Sequence, residues 1–309
     1  MEERALIHFK NVSKKLGGIN RIDDLTASFE KGKVYGLIGP NGAGKTTFFN
    51  LLTGIYKSDK GKISVAGLDP VRDYKKVRSL IGFAPQDTAL YPELSAKDNL
   101  MYHAALYLDS MKNVKDKINS ILELVELSNR ANEPVKNFSG GMKRRLSIGR
   151  AILSEPEILL LDEPTLGVDV QSTHRIWEYI KGIREKDTVI IVATNVMAEA
   201  DFLSDEIVLL DRGKKIADGS LDDLKKTFGD STITICLKDK VPNELLFSKF
   251  KNIREIRDKE VVFNTKNIVK DLTAVVDTLS NVSEIENIKF EKPSLDDFFL
   301  AKTGKKLRD

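Results

Sequence analysis

The sequence predicts an α/β protein: a core built on a mainly parallel sheet, a small helical insert, and a smaller α+β domain after it. Three observations carry this reading. Ile158 to Leu161 and Val189 to Ala193 are continuous apolar runs with polar or charged flanks, the pattern of parallel strands buried on both faces. Val34 to Ile38 is a third apolar run that ends in a glycine-rich turn, after which Thr46 to Leu52 continues at helical spacing. Residues 231 to 290 then read strand, helix, strand, strand, helix, strand.

Taken in order, strand-like and helix-like stretches alternate from residue 5 to 229. Between Pro85 and Ser139 the pattern turns helical. Ser95 is a good N-cap with Asp98 three residues on, and Leu100, Ala104 and Leu108 repeat at i, i+4, i+8. A second face follows with Ile118, Ile121, Leu122 and Val125. The helical insert is placed at about 87–150. Ser220-Leu221-Asp222-Asp223 starts a short helix, and the domain boundary is expected near Gly229-Asp230, which gives domains of 1–229 and 230–309. The second domain reads as strand Thr232 to Leu237, helix Asn243 to Phe250, strands Ile253 to Arg257 and Val261 to Asn264, helix Ile268 to Leu279, and strand Val282 to Phe290. That βαββαβ order is the ferredoxin-like arrangement, and a last helix begins at Ser294.

Composition narrows the function class. The 309 residues suggest about two domains. With 49 Lys and Arg against 46 Asp and Glu, the net charge of +3 argues against a protein that mainly neutralises nucleic-acid phosphates. No run approaches the ~20 apolar residues that span a bilayer. The start, Met1-Glu2-Glu3-Arg4, does not read as a signal peptide, and the single Cys236 cannot form an internal disulfide. The expectation is a chain of the reducing cytosol.

Gly39-Pro40-Asn41-Gly42-Ala43-Gly44-Lys45-Thr46 fits G-x-x-x-x-G-K-[ST] in full, between an apolar strand and a helix, with Thr47 next in line. Its glycines let backbone N–H groups turn inward as a nest for phosphate oxygens, and the helix N-terminus adds positive potential. Lys45 is placed to reach the terminal phosphates of a nucleoside triphosphate and Thr46 to ligate Mg2+. Asp162 closes the apolar strand where a carboxylate lies near that metal, and Glu163 is placed to polarise an attacking water.

Asn137-Phe138-Ser139-Gly140-Gly141-Met142-Lys143-Arg144-Arg145 puts a serine and two glycines ahead of a basic helix, a second anion-binding N-terminus. Lys143, Arg144 and Arg145 read as a solvated face or dimer contacts, not a nucleic-acid patch. With the phosphate loop and the Asp162-Glu163 strand in this order, the segment resembles the signature of ATP-binding-cassette (ABC) ATPases over residues 5 to 220. The resemblance implies a P-loop cassette with an antiparallel β subdomain beside its parallel core. It also implies that Gln86 senses Mg2+ and joins the core to the helical insert, and that the Asp169 loop crosses a dimer interface. Two cassettes would pack head-to-tail, each ATP lying between one chain's Lys45 loop and the other's Ser139-Gly140-Gly141. The tail from Pro293 to Gly304 resembles drug-exporter cassettes of the daunorubicin-resistance type, whose ATPase chains pair with separate membrane permease subunits. The expected role is ATP hydrolysis coupled to export, from the cytoplasmic face of the membrane, with ATP and Mg2+ bound and no nucleic-acid partner.

Two positions depart from that family's pattern. Asn195, in Ala193-Thr194-Asn195-Val196, stands where the family has a histidine against the γ-phosphate. An amide donates a hydrogen bond but carries no charge at neutral pH. Slowed hydrolysis at the chain's own site is expected, which keeps open a low-turnover regulatory module or the slow half of a heterodimer. Leu16 stands where an aromatic ring commonly stacks on adenine, so weaker base selectivity is expected. The C-terminal domain shows no metal-ligand chemistry, with Cys236 alone and no histidine after His174.

Overall fold

A computed structural model describes residues 5–108, 110–183, 187–227, 231–240, 252–265, 268–280, 283–291, 298–299 and 302–303. The chain divides into two compact units between Leu221 and Asp222. This is earlier than the boundary expected at 229/230, and hydrogen bonding gives the reason. Strand β9 (Lys214–Ser220) is paired to β8 (Glu206–Asp211) up to Glu206 opposite Ser220, and the Leu221 N–H donates to Asp205 O at 3.2 Å. The ties to the first unit's sheet end there, at the start of helix α8 (Leu221–Thr227).

The first unit is built around a six-stranded sheet, ordered β5 (Ile81–Ala84), β6 (Ile158–Asp162), β7 (Val189–Thr194), β3 (Val34–Ile38), β8 and β9. The first five strands are parallel and β9 is the antiparallel edge. The apolar runs are continuous because both faces are covered. Along β6, Ile158 and Leu160 pack into one cluster, while Leu159 and Leu161 pack into the other, as the two-residue strand period requires. The first cluster contains Phe9, Phe29, Phe48 and Phe49. It is closed by helix α1 (Lys45–Leu52) and by a three-stranded antiparallel sheet of β2 (Ile19–Glu30), β1 (Ala5–Leu16) and β4 (Lys60–Val65). Phe9 stacks on Phe48 with centroids 4.5 Å apart, which seats α1 against β1. The second cluster is closed by α5 (Gly140–Ile152) and α6 (Val170–Ile183), through Ile148, Ile176, Trp177 and Ile180. Helix α7 (Met197–Leu203) adds Leu203 to it.

The helical insert has its own core. Helices α3 (Ala96–Tyr107) and α4 (Val114–Leu124) meet α5 through Leu100, Ala104, Ile118, Leu122 and Leu146. Ser95 caps α3 by accepting the Asp98 N–H at 3.0 Å. Buried Asn99 accepts the Tyr91 N–H at 2.8 Å and donates to Tyr91 O at 3.0 Å, which pins the turn before the helix. Leu108 ends α3 in an extended conformation, so the expected i+8 position is its C-cap.

The second unit holds an antiparallel sheet ordered β11 (Ile253–Arg257), β12 (Glu260–Thr265), β10 (Ser231–Leu237) and β13 (Ile285–Glu291). Ile233, Ile235, Leu237, Val261 and Phe263 form its core with Val275 and Leu279 of helix α9 (Ile268–Leu279). This strand order is that of the ferredoxin-like arrangement. The helix expected over 243–250 and the helix start at Ser294 lie outside the described residues, while Phe298 and Phe299 are buried.

Candidate active site

Four strands of the parallel sheet deliver their carboxyl ends to one edge. Ile38 lies opposite Thr194, Asp162 opposite Ala193, and Ala84 opposite Leu161, so Gly39, Asn195, Glu163 and Gln86 all leave the sheet together. Ligands of open α/β sheets bind outside such carboxyl ends. Glu163 turns off its strand in the left-handed region, φ 48°, and its N–H donates to Ala193 O at 2.8 Å. A non-glycine residue held there is a strained position, a common mark of functional corners.

The Gly39–Thr46 loop is wrapped tightly enough that its glycines are obligatory. Gly44 has φ 115°, and a Cβ added to it would stand 2.4 Å from Arg21 O. Gly42 has φ 82° and faces open space, where a side chain would begin to fill the cradle. Lys45 opens α1 almost fully buried, its Nζ donating to Gly39 O at 2.6 Å and Pro40 O at 3.3 Å. Its Nζ is 3.9 Å from Glu163 Oε1, and Gln86 Nε2 donates to Glu163 Oε2 at 3.2 Å. Beside them the Thr46 hydroxyl donates to Asp162 Oδ2 at 3.4 Å.

These groups surround a cavity of about 230 Å³. Of the residues expected at the site, Pro40, Asn41, Gly42, Gly44, Lys45, Thr46, Thr47, Gln86 and Glu163 line it. Asp162 lies buried beneath Thr46, while Gly39 and buried Ala43 support the loop from behind. Arg21 also lines the cavity, and nothing in its sequence neighbourhood points to that role. It arrives because the β1–β2 hairpin packs on the loop at Gly44.

The electrostatics match a site for phosphate and a cation. Burial pushes the Lys45 ammonium below its ordinary value, and the Glu163 and Asp162 carboxylates push it back up. Burial raises the Asp162 carboxyl, and Glu163 raises it further against the opposing pull of Lys45 and the Thr46 hydroxyl. A phosphate on the loop would draw Lys45 outward, and a divalent cation between Thr46 and Asp162 would relieve the buried carboxylate. The donors there, a hydroxyl, a carboxylate and an amide oxygen, are hard ligands suited to magnesium.

Other expected residues lie elsewhere. Asn195 is half-buried just beyond Thr194 and does not line the cavity. Leu16 sits half-buried at the hairpin end opposite Ile19, also outside it. Ser139, Gly140, Gly141 and Asp169 gather at a different surface. Ser139 caps α5 by accepting the Met142 N–H at 3.2 Å, and Asp169 begins α6 by accepting the Ser172 N–H at 2.9 Å. A Cβ on Gly141 would stand 3.1 Å from Ser172, so the two segments touch. Leu166 and Val170 beside them are exposed at 54% and 76%.

Two buried polar residues behind the site were not legible as such. Arg144, read from sequence as part of a solvated or dimer-facing run, is buried at 3% exposure. The reason is α5's second cluster: the helix face that carries Ile148 and Ala151 turns Arg144 inward beneath the strand ends. Its Nε–H donates to Pro164 O at 2.9 Å, Nη1 donates to the carbonyls of Pro85 and, at 3.3 Å, Gln86, and Nη2 donates to Asp162 O. Arg145 is also largely covered, its side chain 12% exposed, and it pairs with Glu126 at 2.9 Å. Glu199, fully buried on α7, accepts from the Thr165 hydroxyl at 2.8 Å and from Trp177 Nε1 at 3.0 Å. It joins the helix after Asn195 to Thr165, ahead of the Asp169 loop, and to α6.

A glycine-rich loop opening a helix, a lysine against a carboxylate, and a hydroxyl–aspartate pair at the ends of a parallel sheet define a P-loop nucleotide-binding cassette. Residues 22–166 match the family described as ABC transporter, and residues 219–303 match the C-terminal domain of DrrA1-3-like ATP-binding proteins. The linearmycin resistance ATP-binding protein LnrL of Bacillus subtilis (strain 168) is 33% identical over 98% of this chain and all of its own length. The daunorubicin resistance ATP-binding protein DrrA3 of Streptomyces coeruleorubidus is 32% identical over 94% of this chain and 93% of its own. A solved ATP-binding subunit of an ABC transporter, 30% identical, superposes with a TM-score of 0.66 over 72% of this chain and 93% of that one. The dimeric cassette MJ0796 bound to ADP and Pi, 26% identical, gives 0.63 over 70% and 98%. The chain belongs to the ATP-binding proteins of ABC transporters, a family of ATPases.

Proposed function

We propose that this chain is the ATP-hydrolysing motor of an exporter, working as one of a pair of cassettes beneath separate permease subunits on the cytoplasmic face of a membrane. One observation carries it: Lys45, Glu163 and Gln86 stand within 3.9 Å and 3.2 Å contacts at the mouth of the loop cavity, with Thr46 and Asp162 alongside. In this reading the loop N–H groups from Gly39 to Thr47 and the Lys45 ammonium hold the phosphates of ATP. Thr46, Asp162 and Gln86 hold Mg2+, which when bound offsets charge on the phosphate oxygens. Glu163 orients the attacking water and takes its proton. Asn195 donates a hydrogen bond toward the terminal phosphate, and Leu16 covers the base.

The second cassette, another copy of this chain or a different ATPase subunit, is assigned to the patch around Ser139 and Asp169. Leu166 and Val170 expose apolar surface directly beside Ser139-Gly140-Gly141 and Asp169, the elements that would complete the partner's site. A permease contact is assigned to the aromatic surface of the helical insert, where Tyr91 and Tyr102 meet edge-to-face at 4.9 Å and Leu106 and Tyr107 are exposed. No helix among the described residues is long and apolar enough to cross a membrane. Relatives are named for linearmycin resistance, daunorubicin resistance and Nod factor export, which supports the exporter reading. Among the described residues the C-terminal unit supplies none of those lining the cavity, and the unit is assigned an accessory, regulatory part.

A second reading, a slow or regulatory site, is favoured by the neutral amide at Asn195. Steady-state ATP turnover of the full chain, alone and with its permease, tests both. The motor reading requires turnover that Glu163→Gln and Lys45→Ala abolish; ATP binding without turnover in the assembled complex supports the regulatory one.

A further inference from the structure

Arg144 is a buried cation whose partners are all backbone carbonyls. They belong to Pro85 and Gln86 at the end of β5, to Asp162 at the end of β6, and to Pro164 just beyond Glu163. Each belongs to, or is next in chain to, a residue assigned to hydrolysis: Gln86, Asp162 and Glu163. No carboxylate lies within ion-pair distance of Arg144 among the described residues, and Asp162, Glu199 and Glu163 balance its charge from further off. The guanidinium presents five N–H donors in a fixed planar fork, so one side chain reaches carbonyls from separate strand ends at once. A lysine ammonium, with three donors on one atom, has no comparable reach.

Arg144 also stands on α5, whose first turn carries Ser139, Gly140 and Gly141. About one helical turn separates the surface assigned to the second cassette from the fork that holds this chain's own hydrolytic corner. We propose that Arg144 is the positioning residue of the ATPase site: it fixes Gln86, Asp162 and Glu163 in register and ties them mechanically to the helix that engages the other cassette. The inference rests on the motor reading above. Engagement of Ser139-Gly140-Gly141 by the partner's nucleotide would displace α5, and through Arg144 the displacement reaches Gln86 and Glu163. The phosphate loop makes no bond to Arg144, so nucleotide capture by Lys45 does not depend on it.

The test is Arg144→Lys, which keeps the charge and loses the fork, with Arg144→Gln as a second variant that loses the charge. A misplacement of about 1 Å costs ~10²-fold in rate, so kcat is expected to fall ~10- to 100-fold in both. KM for ATP stays within ~3-fold, and the Mg2+ concentration for half-maximal turnover rises, because the loss is confined to the reacting geometry. A kcat within ~2-fold of the unmodified chain, or a loss that merely follows the folded fraction in a melting curve, overturns the proposal. Glu163→Gln run in parallel separates the two claims: if it keeps full turnover, the motor reading fails, whatever Arg144 does. Amide exchange on the unmodified chain needs no variant at all. ATP with Mg2+ should protect residues 85–87, 140–146 and 162–165 together, and protection of one segment without the others overturns the tie.

Discussion

The chain's own phosphate-binding corner and the patch around Ser139 and Asp169 lie in one unit yet are built in opposite ways. At the corner, Lys45, Asp162 and Glu163 are at most 9% exposed and wired to one another and to the backbone. At the patch, Leu166, Val170 and Asp169 face outward, and the capping bonds of Ser139 and Asp169 are local, each to a backbone N–H three residues on. A preorganised corner holds charge in fixed geometry, which is where electrostatic catalysis has its effect. An exposed apolar rim around a helix N-terminus has unused binding capacity. On the proposed reading, the contrast is between one finished half-site and one half-site that needs a second cassette.

Breaking the finished half gives the largest effect. Glu163→Gln removes the group assigned to the attacking water, so turnover falls by ~10²–10⁴-fold while ATP binding is kept, as read by single-turnover hydrolysis and nucleotide titration. Breaking the exposed half comes next. Leu166→Asp with Val170→Asp would bury unpaired charge in the cassette contact at a cost of ~3 kcal/mol, about 100-fold in association. The isolated chain should melt within ~0.5 kcal/mol of the unmodified one, because both positions are exposed there. Sedimentation with and without ATP and Mg2+ reads the first effect and a melting curve the second.

Two changes sharpen the comparison without breaking it. Asn195→His restores a group able to carry charge against the phosphate, and turnover is expected to rise ~10-fold or more. Unchanged turnover would mean that Asn195 positions the phosphate adequately and the slow-site reading goes. Asp162→Asn is the smallest effect on the fold and the most informative about the corner. Burial and Glu163 raise the Asp162 carboxyl, so the folded chain holds that proton to higher pH than the unfolded chain. Without metal, folding stability is therefore lost as pH rises from the ordinary carboxylate value through the raised one. The amide removes that cost at neutral pH, and a gain of ~1 kcal/mol would lift the melting midpoint by ~2–4 °C. A midpoint that falls, or a pH dependence unchanged by the substitution, contradicts this account of the corner.

Much of the finished half was legible in the sequence because its chemistry is local. The loop from Gly39 to Thr46 lies in one stretch, and the apolar runs of β3, β6 and β7 announce strands whose ends must carry Asp162 and Glu163. The continuous hydrophobicity of Ile158 to Leu161 is enough to say that both sheet faces are covered. Arg144 was misread because a run of three basic residues looks solvated, and only the packing of α5 shows that Arg144 is buried and Arg145 largely covered. Arg21 and Glu199 were missed for a related reason. Their roles come from the hairpin's approach to Gly44 and from Thr165 and Trp177 converging on α7, contacts between residues far apart in the chain. The domain junction at Leu221 was misplaced because glycine composition marks a turn, whereas the pairing of β9 decides which unit a residue joins.

The central claim, that each hydrolysis site takes its halves from two chains, is tested most directly by mixing two inactive variants. Lys45→Ala leaves the Ser139 patch intact and spoils the loop; Ser139→Arg leaves the loop intact and spoils the patch. In a symmetric pair the mixed species holds one site with both halves sound, so equal mixing should restore roughly a quarter of the unmodified turnover. A mixture as inactive as either variant alone would contradict the account.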